Sequence, residues 1–295
     1  MSKVIDVSDV NEARVPLLLA TDLSARCDRA TARAIRLAEA FGGDAVAATV
    51  VAPEDVVSRE VLRPRTPAWY RPVAPLARAR AQLQREFAAA PAWSLRIGEG
   101  GAAGYIAQQL DALGEQALVV AGPMREGVFG ARMLGSTLDG LLRRPRLALL
   151  VVREQAHADY CRILVASDFS LPSRQALLRA RGLFPQAQLT VLHGFSMPMP
   201  GIMDGLDDAI EQSAVAARER GAAFLRECGL ADGEASLLVE YGDPARLVRQ
   251  YLETHGDCLV VAGTHGHGAM YELVVGSVAR RIATAGDADV LLVRG

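Results

Sequence analysis

Lysine is almost missing from this chain: Lys3 is the only one in 295 residues, so nearly every positive side chain is an arginine. A phosphate loop of the Gly-Lys-Ser/Thr kind is thereby excluded, because its lysine must stand beside the glycines. No block of Lys and Arg stands out and the formal net charge is -2, which argues against a nucleic-acid surface. The four cysteines, Cys27, Cys161, Cys228 and Cys258, form no C-x2-C pair. Scattered in a chain with ample apolar material, they read as reduced and buried, which points to the cytoplasm. No apolar run approaches the ~20 residues that a bilayer crossing needs; Leu147 to Val152 is among the longest. Met1 to Arg14 is polar, with Asp6, Asp9 and Glu12, and does not read as a signal peptide. The expectation is a soluble, cytoplasmic protein without a membrane span.

What the chain has is internal repetition. Its length predicts about two domains, and the second half rewrites the first. Val15 to Ser24 (VPLLLATDLS) and Arg162 to Ser170 (RILVASDFS) share a short apolar run, a small residue, a hydroxyl, an aspartate, an apolar residue and a serine. Such a run suits a strand buried on both faces, and the Asp-x-Ser after it suits the cap of a following helix. Those helices are expected over Asp28 to Phe41 and Ser173 to Phe184. Second strands are expected at Ala45 to Val51 and Gln188 to His193, then Leu118 to Ala121 with Leu259 to Ala262, then Leu147 to Val152 with Val290 to Val293. Gly122 to Gly263 and Gly135 to Gly276 each step by 141 positions, the regularity of a true repeat. Residues 1–154 form the expected first domain and 160–295 the second, joined through EQAHAD. Alternating strands and helices imply parallel sheets covered on both faces, with ligands beyond the carboxyl ends of the strands. The proline-rich Pro53 to Pro75 and Met197 to Asp208 read as loops over that end, either plain surface or a lid or partner contact.

The segment Gly263 to Ser277, GTHGHGAMYELVVGS, follows an apolar run and precedes a helix-like stretch from Val278 to Ala285. Gly263 and Gly266 are separated by two residues, and nine more lead to Gly276-Ser277. Glycines there either turn the chain or let an anion approach backbone amides. The spacing resembles the nucleotide-binding signature of the universal stress protein family, Gly-x2-Gly-x9-Gly-Ser/Thr, with no position missing. The resemblance covers essentially the whole chain after Arg14. It implies an α/β fold of two tandem doubly wound parallel-sheet domains, Rossmann-like and adenine nucleotide alpha-hydrolase-like. Because single-domain members commonly dimerise through their last strands, the tandem is expected to form that pair within one chain as a pseudo-dimer, with further homo-oligomers open.

The resemblance also implies a site in the second domain. Asp168, with Ala166 and Ser167 in the same turn, would meet the adenosine portion, since a carboxylate accepts from hydroxyls but repels phosphate. Its other reading is a helix cap. Gly194, after His193, would face the base. Gly263, His265, Gly266, His267, Gly276, Ser277 and Val278 would surround ribose and phosphates through amides and a hydroxyl. His265 and His267 lack the further ligands that zinc requires, so no resident metal is expected; Mg2+ would arrive with ATP.

The first domain departs from the pattern. Ala20, Thr21, Asp22, Gly122, Gly135 and Ser136 are in place, but Arg125 stands at the second glycine and Pro123 removes a donor beside it. Gly127 is out of register by two. This points to a degenerate second site, or to one that takes another anion.

Catalysis finds no support: there is no Rossmann fingerprint, no G-x-S-x-G elbow and no evident general base or transition-state clamp. The leading expectation is an ATP-binding, regulatory stress protein acting through an unidentified protein partner in stress or growth arrest. The alternatives are a scaffold without nucleotide and a slow ATPase.

Overall fold

The computed structural model describes residues 14–51, 73–123, 136–196, 206–256, 258–264, 276–285 and 288–295. In the first half, β1 (Val15–Ala20) leads through a short 3-10 turn (Ala25–Cys27) to α1 (Asp28–Phe41) and β2 (Gly42–Val51). After them come α2 (Pro75–Glu86), β3 (Ser94–Glu99), α3 (Ala102–Leu113), β4 (Leu118–Ala121), α4 (Ser136–Leu141) and β5 (Ala148–Val151). The second half repeats the order: β6 (Arg162–Ala166), α5 (Leu171–Leu183), β7 (Gln188–Phe195), α6 (Leu206–Glu227), β8 (Ala235–Tyr241), α7 (Pro244–His255), β9 (Leu259–Gly263), α8 (Ser277–Ala285) and β10 (Val290–Val293).

Among the described residues, ten strands join one sheet in the order β3-β2-β1-β4-β5-β10-β9-β6-β7-β8. Each half is parallel within itself, while β5 and β10 pair antiparallel, Val151 against Val290 and Ala148 against Val293. The two closing strands thus cover each other's edges, as expected from the tandem resemblance. Every residue of β4, β5 and β10 is buried, because helices lie on both sides. Alternate strand residues feed two cores. Leu17, Leu19, Val120, Leu150, Val165 and Val261 pack under α1, α2, α5 and α6; Leu18, Val119, Leu149, Leu164 and Val260 pack under α3, α4, α7 and α8.

The helix ends follow from local chemistry. Gly42, at φ 61°, stops α1 in the left-handed conformation and returns its N–H to Ala38 O, a conformation cheap only for glycine. Helix α5 starts at Leu171 rather than Ser173, because Pro172 fits the first turn and the Ser170 hydroxyl caps the Ser173 N–H. Pro75 begins α2 by the same rule, and Leu206–Asp208 already belong to α6, so both proline-rich stretches give way to helix at their ends. Strand β7 runs past His193 to Phe195, whereas β5 is shorter than expected at both ends.

The halves meet at more than the strands. Arg280 of α8 and Asp139 of α4 pair at 3.3 Å. Arg33 of α1 and Asp289, the residue before β10, pair at 3.5 Å. The four cysteines are free. Cys27, Cys228 and Cys258 are buried as expected, but Cys161 is exposed: it precedes β6 at the sheet's rim, where only its backbone is engaged, its carbonyl accepting from Gln188 N–H. Among the described residues no helix is long and apolar enough to cross a membrane.

Candidate functional site

Strand β1 is flanked by β2 and β4, and β6 by β7 and β9. The chain reverses its direction across the sheet at these places, which opens a crevice at the carboxyl end of β1 and of β6. The candidates among the described residues lie at or next to these two ends.

In the second half, Ala166 ends β6 and pairs with Ala262 of β9, so Ser167 and Asp168 emerge beside Gly263. The Ser167 N–H donates to Leu192 O of β7 at 2.9 Å. The turn that follows is knit by its own side chains. The Phe169 N–H donates to Ser167 Oγ at 3.0 Å, and Phe169 takes φ 62°. Asp168 Oδ1 accepts from the Ser170 N–H at 3.1 Å and from the Ser173 hydroxyl at 2.7 Å, and also from the Ser170 hydroxyl. The N-cap is therefore Ser170, and Asp168 braces the cap rather than serving as it.

The glycines have packing reasons. A Cβ on Gly263 would lie 2.8 Å from the Pro172 carbonyl oxygen, so the end of β9 must run bare against the first turn of α5. A Cβ on Gly194 would stand 2.9 Å from a Leu247 methyl and 3.1 Å from Gly242 O. Beyond β9, Thr264 is fully buried; its N–H donates to Val293 O, and its carbonyl accepts from Gly276 N–H at 2.6 Å. Thr264 and Gly276 thus stand side by side, and α8 starts at once with Ser277 and Val278 exposed on its first turn. His265, Gly266 and His267 lie outside the described residues.

The first half repeats this geometry with different chemistry. Leu23 takes φ 58° and its N–H meets Thr21 Oγ1 at 3.0 Å; Thr21 N–H donates to Ala48 O. Asp22 stands where Asp168 does, after Ala20. Its Oδ1 accepts from Ser24, by N–H at 2.9 Å and by hydroxyl at 2.5 Å, and from Cys27 Sγ at 3.2 Å, while Arg26 pairs with Oδ2 at 3.4 Å. Burial works to raise the pKa of this carboxyl, but the hydrogen bonds from Ser24, Cys27 and Arg26 hold it below the ordinary value. Arg26 and Cys27 occupy the positions of Pro172 and Ser173. A Cβ on Gly122 would meet Arg26 O at 3.1 Å, the counterpart of the Gly263 contact. Ser136 opens the six-residue α4; Arg125 and Gly135 lie outside the described residues.

His193 carried no role of its own in the sequence reading, yet it lies directly beneath the Asp168 turn. It is 8% exposed, with Nδ1 at 2.9 Å from Ser167 O and the ring stacked on Phe169 at 4.3 Å between centroids. Its one sequence signal was a titratable residue at the end of an otherwise apolar strand.

The model of the universal stress protein family matches residues 15–153 and again residues 159–294. The structure is similar to a universal stress protein from Archaeoglobus fulgidus DSM 4304, with a TM-score of 0.60 and 17% identity over 95% of this chain and 98% of that one. It is also similar to a functionally unknown protein from Pseudomonas aeruginosa PAO1, with a TM-score of 0.64 and 16% identity over 96% and 93% of the two chains. At such identities these likenesses establish the shared fold.

Proposed function

The chain belongs to the universal stress protein family, and from that premise we propose that its second half binds an adenine nucleotide, ATP with Mg2+, in a regulatory rather than catalytic role. The observation that carries this reading is the meeting of two kinds of group at one crevice. The Asp168 carboxylate stands at the end of β6, and beside it Gly276 closes on Thr264 O to start α8. A carboxylate suits the hydroxyls and base of a nucleoside. Amides at a helix start suit phosphates, which the carboxylate would repel. Ala166, Ser167, Gly194, Gly263, Gly276, Ser277 and Val278 would line the site, with His265, Gly266 and His267 in the intervening loop. Occupancy would act on a partner protein in stress or growth arrest through the difference in nucleotide affinity between two states.

The first half would bind nucleotide less well, because Arg125 stands where the second half has Gly266 and Pro123 removes a backbone donor beside it. A second reading, an interaction module without nucleotide, draws on Gly194 and Gly263, which packing alone requires.

Calorimetric titration with ATP and Mg2+ separates these readings. One nucleotide per chain, lost in Gly276→Glu, supports a single second-half site. Two per chain would mean that the first half binds as well. No binding at millimolar ATP overturns the nucleotide reading.

A further inference from the structure

His193 touches the residues on both sides of Asp168. Its Nδ1 lies 2.9 Å from Ser167 O, and because a carbonyl only accepts, Nδ1 carries the hydrogen and the neutral ring's Nε2 is left as an acceptor. Its face covers the Phe169 ring at 4.3 Å and 26°. Phe169 holds a left-handed φ of 62°, a strained conformation for an aromatic residue that persists only when its surroundings enforce it. The Ser167 hydroxyl supplies that enforcement as Thr21 does at Leu23, and in this half the His193 ring packs against the same turn, the one that presents Asp168.

Two charged groups face the imidazole. Asp168, from the turn after β6, favours its protonated form; Arg220, from α6, opposes it. Burial, the largest influence, outweighs the Ser167 hydrogen bond and Asp168, which favour the protonated ring, and with Arg220 pushes the His193 pKa below its ordinary value. A proton added at Nε2 would create a buried cation beside Arg220 and draw the ring toward the carboxylate of Asp168, in competition with any ligand hydroxyl. The first half has the same backbone turn at Leu23, but the matching strand position is Thr49, buried and without a ring to titrate.

We infer that His193 is a positioning residue of the second-half site: its neutral ring holds the Ser167–Phe169 turn in the form that receives a nucleoside, and its protonation weakens ligand uptake. The inference rests on the nucleotide reading of the site. The weakening sets in as pH falls through the His193 value of the ligand-free folded protein, which burial holds below the ordinary histidine value.

The test is ATP-Mg2+ affinity at pH 7.5 and pH 5.5 for the wild type, His193→Asn and His193→Ala. Asparagine keeps a donor for Ser167 O without titrating; alanine removes donor and ring. Ionisation of the triphosphate affects all three proteins alike. We expect His193→Asn to bind within about threefold of wild type at pH 7.5 and His193→Ala at least about tenfold more weakly. Between the two pH values the wild type should lose more affinity than His193→Asn, by less than about tenfold because the folded His193 value lies below the ordinary one. Should the variants fail to fold, NMR titration of the wild-type imidazole with and without ATP reads the same coupling. By reciprocity its midpoint should move down about one pH unit on loading. Equal pH profiles for wild type and His193→Asn, an unmoved midpoint, or full affinity in His193→Ala overturns the inference while leaving the site intact. Absence of ATP binding in the wild type overturns the site reading and this inference with it.

Discussion

Arg33 and Asp289, from opposite halves of the chain, form an ion pair at 3.5 Å with side chains only 4% and 1% exposed. Around them the junction is dense. Asp289 Oδ1 accepts from the Arg153 and Glu154 N–H groups at 2.6 and 2.9 Å, and Oδ2 from the Tyr160 hydroxyl. The Arg33 guanidinium lies 4.2 Å over the Tyr160 ring and donates to Ala158 O. Burial first, then the Asp289 charge, pushes the Tyr160 pKa well above its ordinary value, so the phenol stays a donor. The short connection between the halves is thereby fastened to α1 on one side and to the approach of β10 on the other.

Replacing one partner leaves the other charge buried without compensation. Asp289→Ala is expected to cost about 3–5 kcal/mol, read as a lower urea midpoint. The double variant Arg33→Met, Asp289→Leu, which removes both charges, should recover a substantial part of that loss. If Asp289→Ala melts like the wild type, the pair contributes nothing to holding the halves.

Asp243 caps α7 through the Arg246 N–H at 3.0 Å and binds Arg281 of α8 through both carboxylate oxygens at 2.5 and 2.8 Å. The hydrogen bond from Arg281 is the main cause that holds its pKa below the ordinary value. With the folded value depressed, its contribution is fully present above about pH 4, the unfolded value, and is lost as pH falls through the folded one. Asp243→Ala should cost about 0.5–2 kcal/mol at neutral pH and flatten the acid limb of a thermal-midpoint profile. An unchanged acid limb would refute that assignment.

Burial, as the largest influence, raises the thiol pKa of Cys27 and of Cys228, while Cys161 is exposed. Because the thiolate is the reactive form, iodoacetamide at neutral pH should modify Cys161 first and Cys27 and Cys228 at least about tenfold more slowly. Peptide mass spectrometry over a time course reads the order.

Gly263→Ala places a Cβ 2.8 Å from the Pro172 carbonyl oxygen, where the backbone itself must shift. The expected loss is about 1–3 kcal/mol in nucleotide-free protein, measured by chemical denaturation. Unchanged stability would return the glycine to a purely ligand-facing role.

Local patterns were legible because local forces decide them. Helix α1 begins at Asp28 and ends at Phe41 as read, since an apolar stripe (Ala30, Ala34, Leu37) and a following glycine specify both its face and its stop. The antiparallel pairing of β5 with β10 came from the family resemblance, for nothing in two equally apolar segments states which edge each will seek. Helix α5 starts two residues before the expected Ser173 because Asp168 and Ser170 are both good caps, and only the turn geometry assigns that work to Ser170. The Arg33–Asp289 pair has no sequence signal, and the seat of His193 has only that of a titratable residue ending an apolar strand. They join positions far apart in sequence, and no local spacing encodes them.

Asp139 and Arg280 hold the same place in the two copies of the repeat, yet they meet each other at 3.3 Å. In a dimer of identical subunits, a residue close to the two-fold axis faces itself, so any charge placed there is repelled by its own copy. Covalent tethering removes that constraint. Here one copy carries the acid and the other the base, a division of labour open to two partners encoded separately, as these are within a single chain.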